Sequence, residues 1–306
     1  GGNTDNKYTQ QYGKQQGKYY VPQRASAGLD PWVTPQAYDN AKEFFDTGIT
    51  WSNSLNVAQM LEKSSYSISL GNTHQDGIIS STGMDRYNVK VSADTKLTNN
   101  WSSGFTANYI TTSIDKAVTS GNGLLRTVYA APPSYDLAGI PSHVDGNQYT
   151  QNSFRGSFDN AYWAMDNNKF TEDTNRFFGN VYASYQTDFG TTNHKLNAKY
   201  MVGVDAYTTH YVDSYGYGSN TGGGRGQIEN YGWTNATYNS LLTINYDWHI
   251  NEDWGLNAVL GNEIIQSNRK KYYEYGTNYN FPGWNHINNA TTQQTEEETW
   301  KNRTVG

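Results

Sequence analysis

Cysteine is absent from the 306 residues, which excludes a disulfide framework and thiolate metal sites and fits a large periplasm-exposed protein. Charge is scarce. Asp, Glu, Lys and Arg together make up 16% of the chain, the net charge is −6, and no basic cluster stands out. Nucleic-acid binding, which depends on grouped cations meeting phosphates, is excluded on that ground. No apolar stretch approaches the roughly 18 to 20 residues of a membrane-spanning helix. Mean hydropathy is low as well, but that does not exclude a membrane, because only alternate residues of a barrel strand meet lipid. The start, Gly1-Gly2-Asn3, lacks the basic and then apolar segments of an export signal.

Catalytic signatures are missing too. The six histidines, His74, His143, His194, His210, His249 and His286, show no helical i, i+4 pairing and no HExxH. The run from Thr221 through Gly222, Gly223 and Gly224 to Arg225 and Gly226 lacks the Lys-Ser or Lys-Thr ending of a phosphate loop, so it reads as a flexible loop. There is no Gly-x-Ser-x-Gly elbow, and Glu296-Glu297-Glu298 reads as a solvated loop edge rather than half of a carboxylate pair. The expectation is a protein without catalysis, cofactor or metal.

What is present is aromatic and polar. Tyr, Phe and Trp number 26, 10 and 9, a load that a disordered chain does not carry and that suits pleated surfaces. Period-two alternation follows. Tyr66, Ile68 and Leu70 oppose Ser65, Ser67 and Ser69; Tyr87, Val89, Val91 and Ala93 oppose Asn88, Lys90, Ser92 and Asp94. Trp101, Phe105, Ala107 and Tyr109 continue the pattern after a turn at 98 to 100, and it resumes at Gly179, Val181, Ala183 and Tyr185. Leu196, Ala198, Tyr200, Val202, Val204 and Ala206 form one face of the next run, Leu242, Ile244, Tyr246 and Trp248 of another, and Leu256, Ala258, Leu260 and Ile264 of a third. With a poorer strand from Ile49 through Val57 and a cut one at 299 to 306, about eight strands plus a partial one are expected.

Connections alternate in length. Short turns fall near 59 to 63, 98 to 100, 189 to 194 and 250 to 253, and longer links near 75 to 84, 116 to 174, 219 to 230 and 277 to 299. In an up-and-down sheet all short turns therefore share one end, as in outer-membrane barrels. Trp101, Trp248, Trp254 and Phe189 sit beside the short turns, where an aromatic girdle belongs. A soluble sandwich or propeller is the alternative, but it would bury its apolar face and use more Leu and Ile than this chain does.

The long links carry flat aromatics among Asn, Gln and Asp. Tyr129, Tyr135, Trp163, Tyr215, Tyr217 and Trp284 are the candidate ligand-binding residues, with Tyr149 and Trp233 nearby in composition. Sugar rings and extended peptides both suit such surfaces. The competing reading is that these rings only pack the loops together.

Several stretches resemble the SusC/RagA-like TonB-dependent transporters of Bacteroidetes outer membranes. They are Phe44-Phe45-Asp46-Thr47-Gly48, Ser52-Asn53-Ser54-Leu55-Asn56-Val57, 62 to 70, and above all Gln75-Asp76-Gly77-Ile78-Ile79 followed by Tyr87-Asn88-Val89-Lys90-Val91. Leu125 through Pro133 and Asp145-Gly146-Asn147-Gln148-Tyr149 look like that family's first long outer loop. The likeness covers 44 to 306, about a third of a typical member. It departs after Val57, where members carry a Gly-Gly pair and this chain has Ala58-Gln59-Met60-Leu61.

The resemblance implies an all-β, antiparallel up-and-down transmembrane β-barrel, of which this chain is a fragment of a 22-stranded wall cut at both ends. Residues 1–47 would be a loop and strand entry on the extracellular side, and 48–306 barrel wall with long extracellular loops at 116–174, 219–230 and 277–299. A plug domain and TonB-contacting segment would lie outside this stretch. The implied function is TonB-dependent import of a nutrient, an oligosaccharide or a peptide, across the Gram-negative outer membrane. Implied partners are a SusD-like surface lipoprotein, the TonB complex, the lipid bilayer, and a second transporter–lipoprotein pair in a dimer. The alternative is a secreted or surface β-sheet glycan-binding protein.

Overall fold

A computed structural model describes residues 11, 13, 15–118, 123–191 and 193–306; Thr192 of the third expected turn and 119–122 of the longest link lie outside them. Two short ladders come from the links: β1 (Tyr19–Tyr20) with β2 (Trp32–Val33), and β7 (His143–Val144) with β8 (Asn147–Gln151). The remaining strands are β3 (Thr50–Met60), β4 (Ser64–Asp76), β5 (Gly83–Lys96), β6 (Trp101–Lys116), β9 (Lys169–Thr187), β10 (His194–Tyr215), β11 (Gln227–His249), β12 (Gly255–Tyr279) and β13 (Ala290–Val305). They form one antiparallel nine-stranded sheet in the order β13-β12-β11-β10-β9-β6-β5-β4-β3, so consecutive wall strands are always neighbours.

Register turns the period-two pattern into two continuous faces. Tyr66 lies opposite Ala93, Ala93 opposite Phe105, Phe105 opposite Val181, and Val181 opposite Val202. One residue along, Ser67, Ser92, Thr106, Asn180 and Gly203 make the matching polar row. A slip of one residue would exchange the faces of a whole strand, so the alternation pins the register.

The apolar face has no second layer over it. Tyr66, Val89, Phe105 and Val202 are 43%, 41%, 43% and 41% exposed. Buried hydrophobic side chains lie almost entirely outside the wall. The exceptions are Ile228, Tyr279 and Ala290, all at the long-link ends of their strands. A soluble sandwich places its core on such a face; here its large hydrophobic side chains stay exposed on strand after strand, from Leu55 and Ile68 through Phe105 and Val181 to Val202 and Leu260. On β10 this face runs from Leu196 to Ala206, about 33 Å along the strand and about 25 Å across at a tilt near 40°, the height of a barrel's lipid band. Among the described residues no helix is long and apolar enough to cross a membrane; strands are the elements of the right length.

Short turns are built by their own side chains. Thr98 Oγ1 accepts the backbone N–H groups of Asn100 (3.2 Å) and Trp101 (3.0 Å), and Asn251 Oδ1 accepts those of Asp253 (3.0 Å) and Trp254 (2.9 Å). Each turn thus delivers an exposed Trp at the rim of the apolar band. At the departure from the family pattern, Ala58 to Met60 stay in β3 and the hairpin closes through Leu61 N–H donating to Ser64 O at 2.7 Å.

The links are shorter than the sequence suggests, because the strands project further. The connection expected at 277 to 299 narrows to 280–289, and 290–299 is strand. Glu296-Glu297-Glu298 is therefore corrected from a loop edge to the middle of β13. Its register sets Glu297 opposite Tyr272 and Glu298 opposite Lys271, while Glu297 ion-pairs with Lys270 at 2.9 Å. Similarly, only 77–82 separates β4 from β5, and 216–226 separates β10 from β11.

Gly104 shows how tightly the polar face is fitted. It separates Asp94 on β5 from Tyr182 on β9, and the Tyr182 hydroxyl reaches across it to donate to Asp94 Oδ1 at 2.6 Å. A Cβ at Gly104 would collide with that carboxylate and lie 2.8 Å from the Tyr182 ring. Gly104→Val should cost about 1–3 kcal/mol, read as a lower guanidinium midpoint for the protein.

Candidate functional site

Two surfaces at the long-link end of the sheet hold the aromatic side chains. The first is a compact assembly of links, in which Val21, Phe44, Leu124, Val128, Leu137 and Trp163 share one core. Helices Asn40–Phe44, Leu124–Ala130 and Ala161–Asn167 supply its frame. Asn160 caps the last of these, its Oδ1 accepting the N–H groups of Tyr162 (3.0 Å) and Trp163 (3.2 Å).

Buried Asp159 binds this assembly to the Gly-rich link. Its carboxylate accepts from the Ser219 hydroxyl (2.5 Å), the Asn220 backbone N–H (2.7 Å), Asn220 Nδ2 (2.8 Å) and Gln151 Nε2 (2.7 Å). Gln151 Nε2 also reaches Gly218 O at 2.8 Å. The run at 221 to 226 is therefore a turn anchored to neighbouring links. Gly222, Gly223, Gly224 and Gly226 supply its positive φ angles, and Gly218 N–H donates to Gly224 O at 2.9 Å.

The six candidate residues do not share one surface. Trp163 and Tyr135 are core residues: Trp163 Nε1 donates to Gln148 O at 2.7 Å, and Tyr135 packs against Phe154 at 4.9 Å. Burial pushes the Tyr135 hydroxyl pKa up. For these two the packing reading holds, since neither ring has a face left for a ligand. Tyr215 packs edge-on against Phe170 at 5.2 Å, and Tyr217 packs against a second small core of Ile228, Tyr279, Ile287 and Ala290. Tyr129 is strongly exposed. Trp284 is exposed as well but stacks with Phe281 (5.8 Å) and His286 (5.2 Å), held by Asn289, whose Nδ2 donates to the Phe281 and Trp284 carbonyls.

The second surface, which the sequence reading missed, is an aromatic belt on the polar face of the strands themselves. Tyr211 and Tyr231 stack at 4.8 Å with rings 5° apart, Trp233 lies 5.5 Å from Tyr211, and Tyr273 lies 6.4 Å from Tyr231. Register places Tyr211, Tyr231 and Tyr273 opposite one another on three consecutive strands. Charges interleave with the rings. Lys116 sits 4.6 Å over Tyr211 and 3.5 Å from Glu172, while Arg269 lies 5.4 Å from Trp233 and 5.6 Å from Trp300. Trp233 was grouped with the loop aromatics by composition; it belongs to β11. Period two is the signal that could have found the belt, because Tyr231 and Trp233 fall on the polar side of their strand.

Toward the short-turn end the same face opens into a cavity of about 630 Å³ lined by Lys90, Asn108, Phe178, Asn180, Asp205 and Asn239. Asp205 of its lining accepts a two-point pair from Arg176 at 2.9 and 2.6 Å. Such a surface can stack flat rings and hydrogen-bond along an extended oligomer. Among the described residues no three His, Asp or Glu side chains converge on a metal position.

No family model matches the sequence, and no curated protein does. In three dimensions the chain is similar to the RagAB peptide importer in its closed-closed state, with a TM-score of 0.71 at 15% identity. It is similar to the RagAB peptide transporter (0.71, 14%) and to the RagAB peptide importer in its open-open state (0.70, 14%). In each case the match covers 88% of this chain and 30% of the RagAB chain, so the chain spans under a third of its structural neighbours' length. The likeness is one of fold: the chain is an all-β, antiparallel, up-and-down sheet of the kind found in a transporter's β-barrel wall.

Proposed function

We propose that this chain is wall from a large outer-membrane β-barrel, of 22 strands in the family it resembles, that imports an oligomeric nutrient. The observation that carries the reading is the open apolar face, backed by a polar face that bears the aromatic belt. The apolar face meets lipid; the polar face lines the passage, with the long links outside the cell and the short turns in the periplasm. The protein is a transporter and performs no chemistry on its cargo.

The cargo is an oligosaccharide or a peptide, and the structural neighbours' role as peptide importers adds weight to peptides. A SusD-like lipoprotein would cover the long links, a plug would close the lumen, and the TonB complex would supply energy through segments other than those described. Pairing of two such transporter–lipoprotein units belongs to the same reading. The second reading, a secreted glycan-binding sheet, predicts that the full-length protein stays soluble without detergent, which the open apolar face opposes.

Cell uptake tests the proposal. Tyr231→Ala combined with Trp233→Ala should leave outer-membrane assembly intact and lower apparent affinity for the transported oligomer about tenfold, at roughly 0.5–1.5 kcal/mol per stacked ring. Glycan and peptide pools assayed in parallel identify the cargo. Unchanged uptake of every pool by the double variant would remove the belt from the transport path.

A further inference from the structure

Lysine and arginine are sorted between the two faces of the wall. Arg86, Lys90, Lys116, Arg176, Lys199 and Arg269 all lie on the polar face, as register shows. On the apolar face of the described strands, cations occur at Lys169 and in one cluster: Lys270 on β12 with Lys301 and Arg303 on β13. Asn268 lies opposite Lys301, and Gln266 opposite Arg303. Lys270 is paired with Glu297, whereas Lys301 and Arg303 stand exposed. The other neighbours on this face are Tyr238, Ala236, Thr234 and Thr299, which carry no charge; the next carboxylate toward the links is Glu274.

Their height along the strands is specific. Ile264, opposite Val305, is the last aliphatic residue of this face on β12 before the strand turns polar at Gln266. Arg303 follows two residues above Val305 and Lys301 four above, about 5 and 9 Å nearer the long links for strands tilted near 45°. That is the depth of lipid phosphates just beyond the hydrocarbon edge, and long cationic side chains can bend toward them. Further along the sheet, outward positions at a similar distance from the short turns carry Asn175 and Asp173 on β9 and, on β5, Asp85, which is ion-paired with His74 at 2.8 Å.

Resting on the outer-membrane reading above, the geometry points to Lys301 and Arg303, flanked by Lys270, as a binding site for the phosphate headgroup of an outer-leaflet lipid. The guanidinium supplies a planar two-point donor for phosphate oxygens, and the ammonium groups supply point charge. Glu297 orients Lys270 while neutralising it, so the recognition falls mainly on the β13 pair.

The test uses full-length protein inserted into phosphatidylcholine vesicles doped with bisphosphorylated lipid A carrying a quencher, with chemically dephosphorylated lipid A as control. Tryptophan quenching reads the enrichment of lipid around the barrel. The wild type should prefer the phosphorylated lipid, and Lys301→Gln with Arg303→Gln should lower that preference about tenfold or more. Inorganic phosphate at matched concentration should leave the preference intact; displacement by it would overturn the assignment to a lipid. Equal preference for both lipids, or a preference unchanged in the double variant, overturns the site. Failure of the wild type to insert at all would instead overturn the barrel reading, so the two failures are distinguishable.

Discussion

An arginine at Val181 should destabilise the folded full-length protein by about 2–4 kcal/mol, whereas an arginine at Asn180 should change stability by less than about 1 kcal/mol. The two positions are adjacent in β9 and differ only in the face they occupy. Val181 is the middle residue of the outward set Phe177, Gly179, Val181, Ala183 and Tyr185, which on the proposed membrane-spanning reading places its side chain near the bilayer midplane. A guanidinium there must desolvate or drag water into the hydrocarbon. Asn180 borders the 630 Å³ cavity, where a longer side chain stays in water. Chemical unfolding in vesicles measures both. Equal costs at the two sites would mean that neither face meets lipid.

Removing the Asp159 carboxylate should be as damaging, but locally. Four donors converge on this buried carboxylate, the Ser219 hydroxyl buried with it and the Asn220 and Gln151 groups part-buried. Asp159→Ala leaves the buried Ser219 hydroxyl without its acceptor, at about 1–3 kcal/mol, and removes three further charge-assisted bonds from Asn220 and Gln151, of which Gln151 Nε2 keeps Gly218 O. Water will repair part of that, so a loss of about 3 kcal/mol or more in link stability is expected. The readout is hydrogen exchange: amides at 218–221 and in the helix Ala161–Asn167 should lose protection by about a hundredfold or more, while those in β4 and β5 keep theirs. Unchanged exchange in the links would show that Asp159 does not hold them. Asp159→Asn, which keeps one acceptor oxygen, should fall between wild type and Ala.

The wall was readable from sequence because its physics is local. Ser65 to Leu70 alternate without exception, the turns at 98 to 100 and 250 to 253 carry side chains that close them, and a tryptophan follows each. The links were less readable, because whether a loop aromatic is buried depends on what folds back over it. Trp163 and Tyr129 occupy similar Asn-rich or Pro-rich surroundings, yet the first is buried by Val21, Leu137 and their neighbours and the second is exposed. The belt of Tyr211, Tyr231 and Tyr273 was hidden for a different reason. These residues are 20 and 42 positions apart, and only strand register, set by the whole sheet, brings them into one row. Glu296-Glu297-Glu298 was misjudged by composition, since three consecutive carboxylates look like a loop until Lys270 and Lys271 across the ladder are seen.

Site-directed spin labelling at single introduced cysteines tests the lipid-facing assignment most directly, and these 306 residues contribute no thiol of their own. Labels at Ile68, Val91 and Val202 should show high collision rates with oxygen, which concentrates in hydrocarbon, and low rates with a water-soluble nickel chelate. Labels at Ser67, Ser92 and Met201 should show the reverse. Low accessibility of Ile68, Val91 and Val202 to both reagents would place protein over them and contradict a membrane-spanning wall.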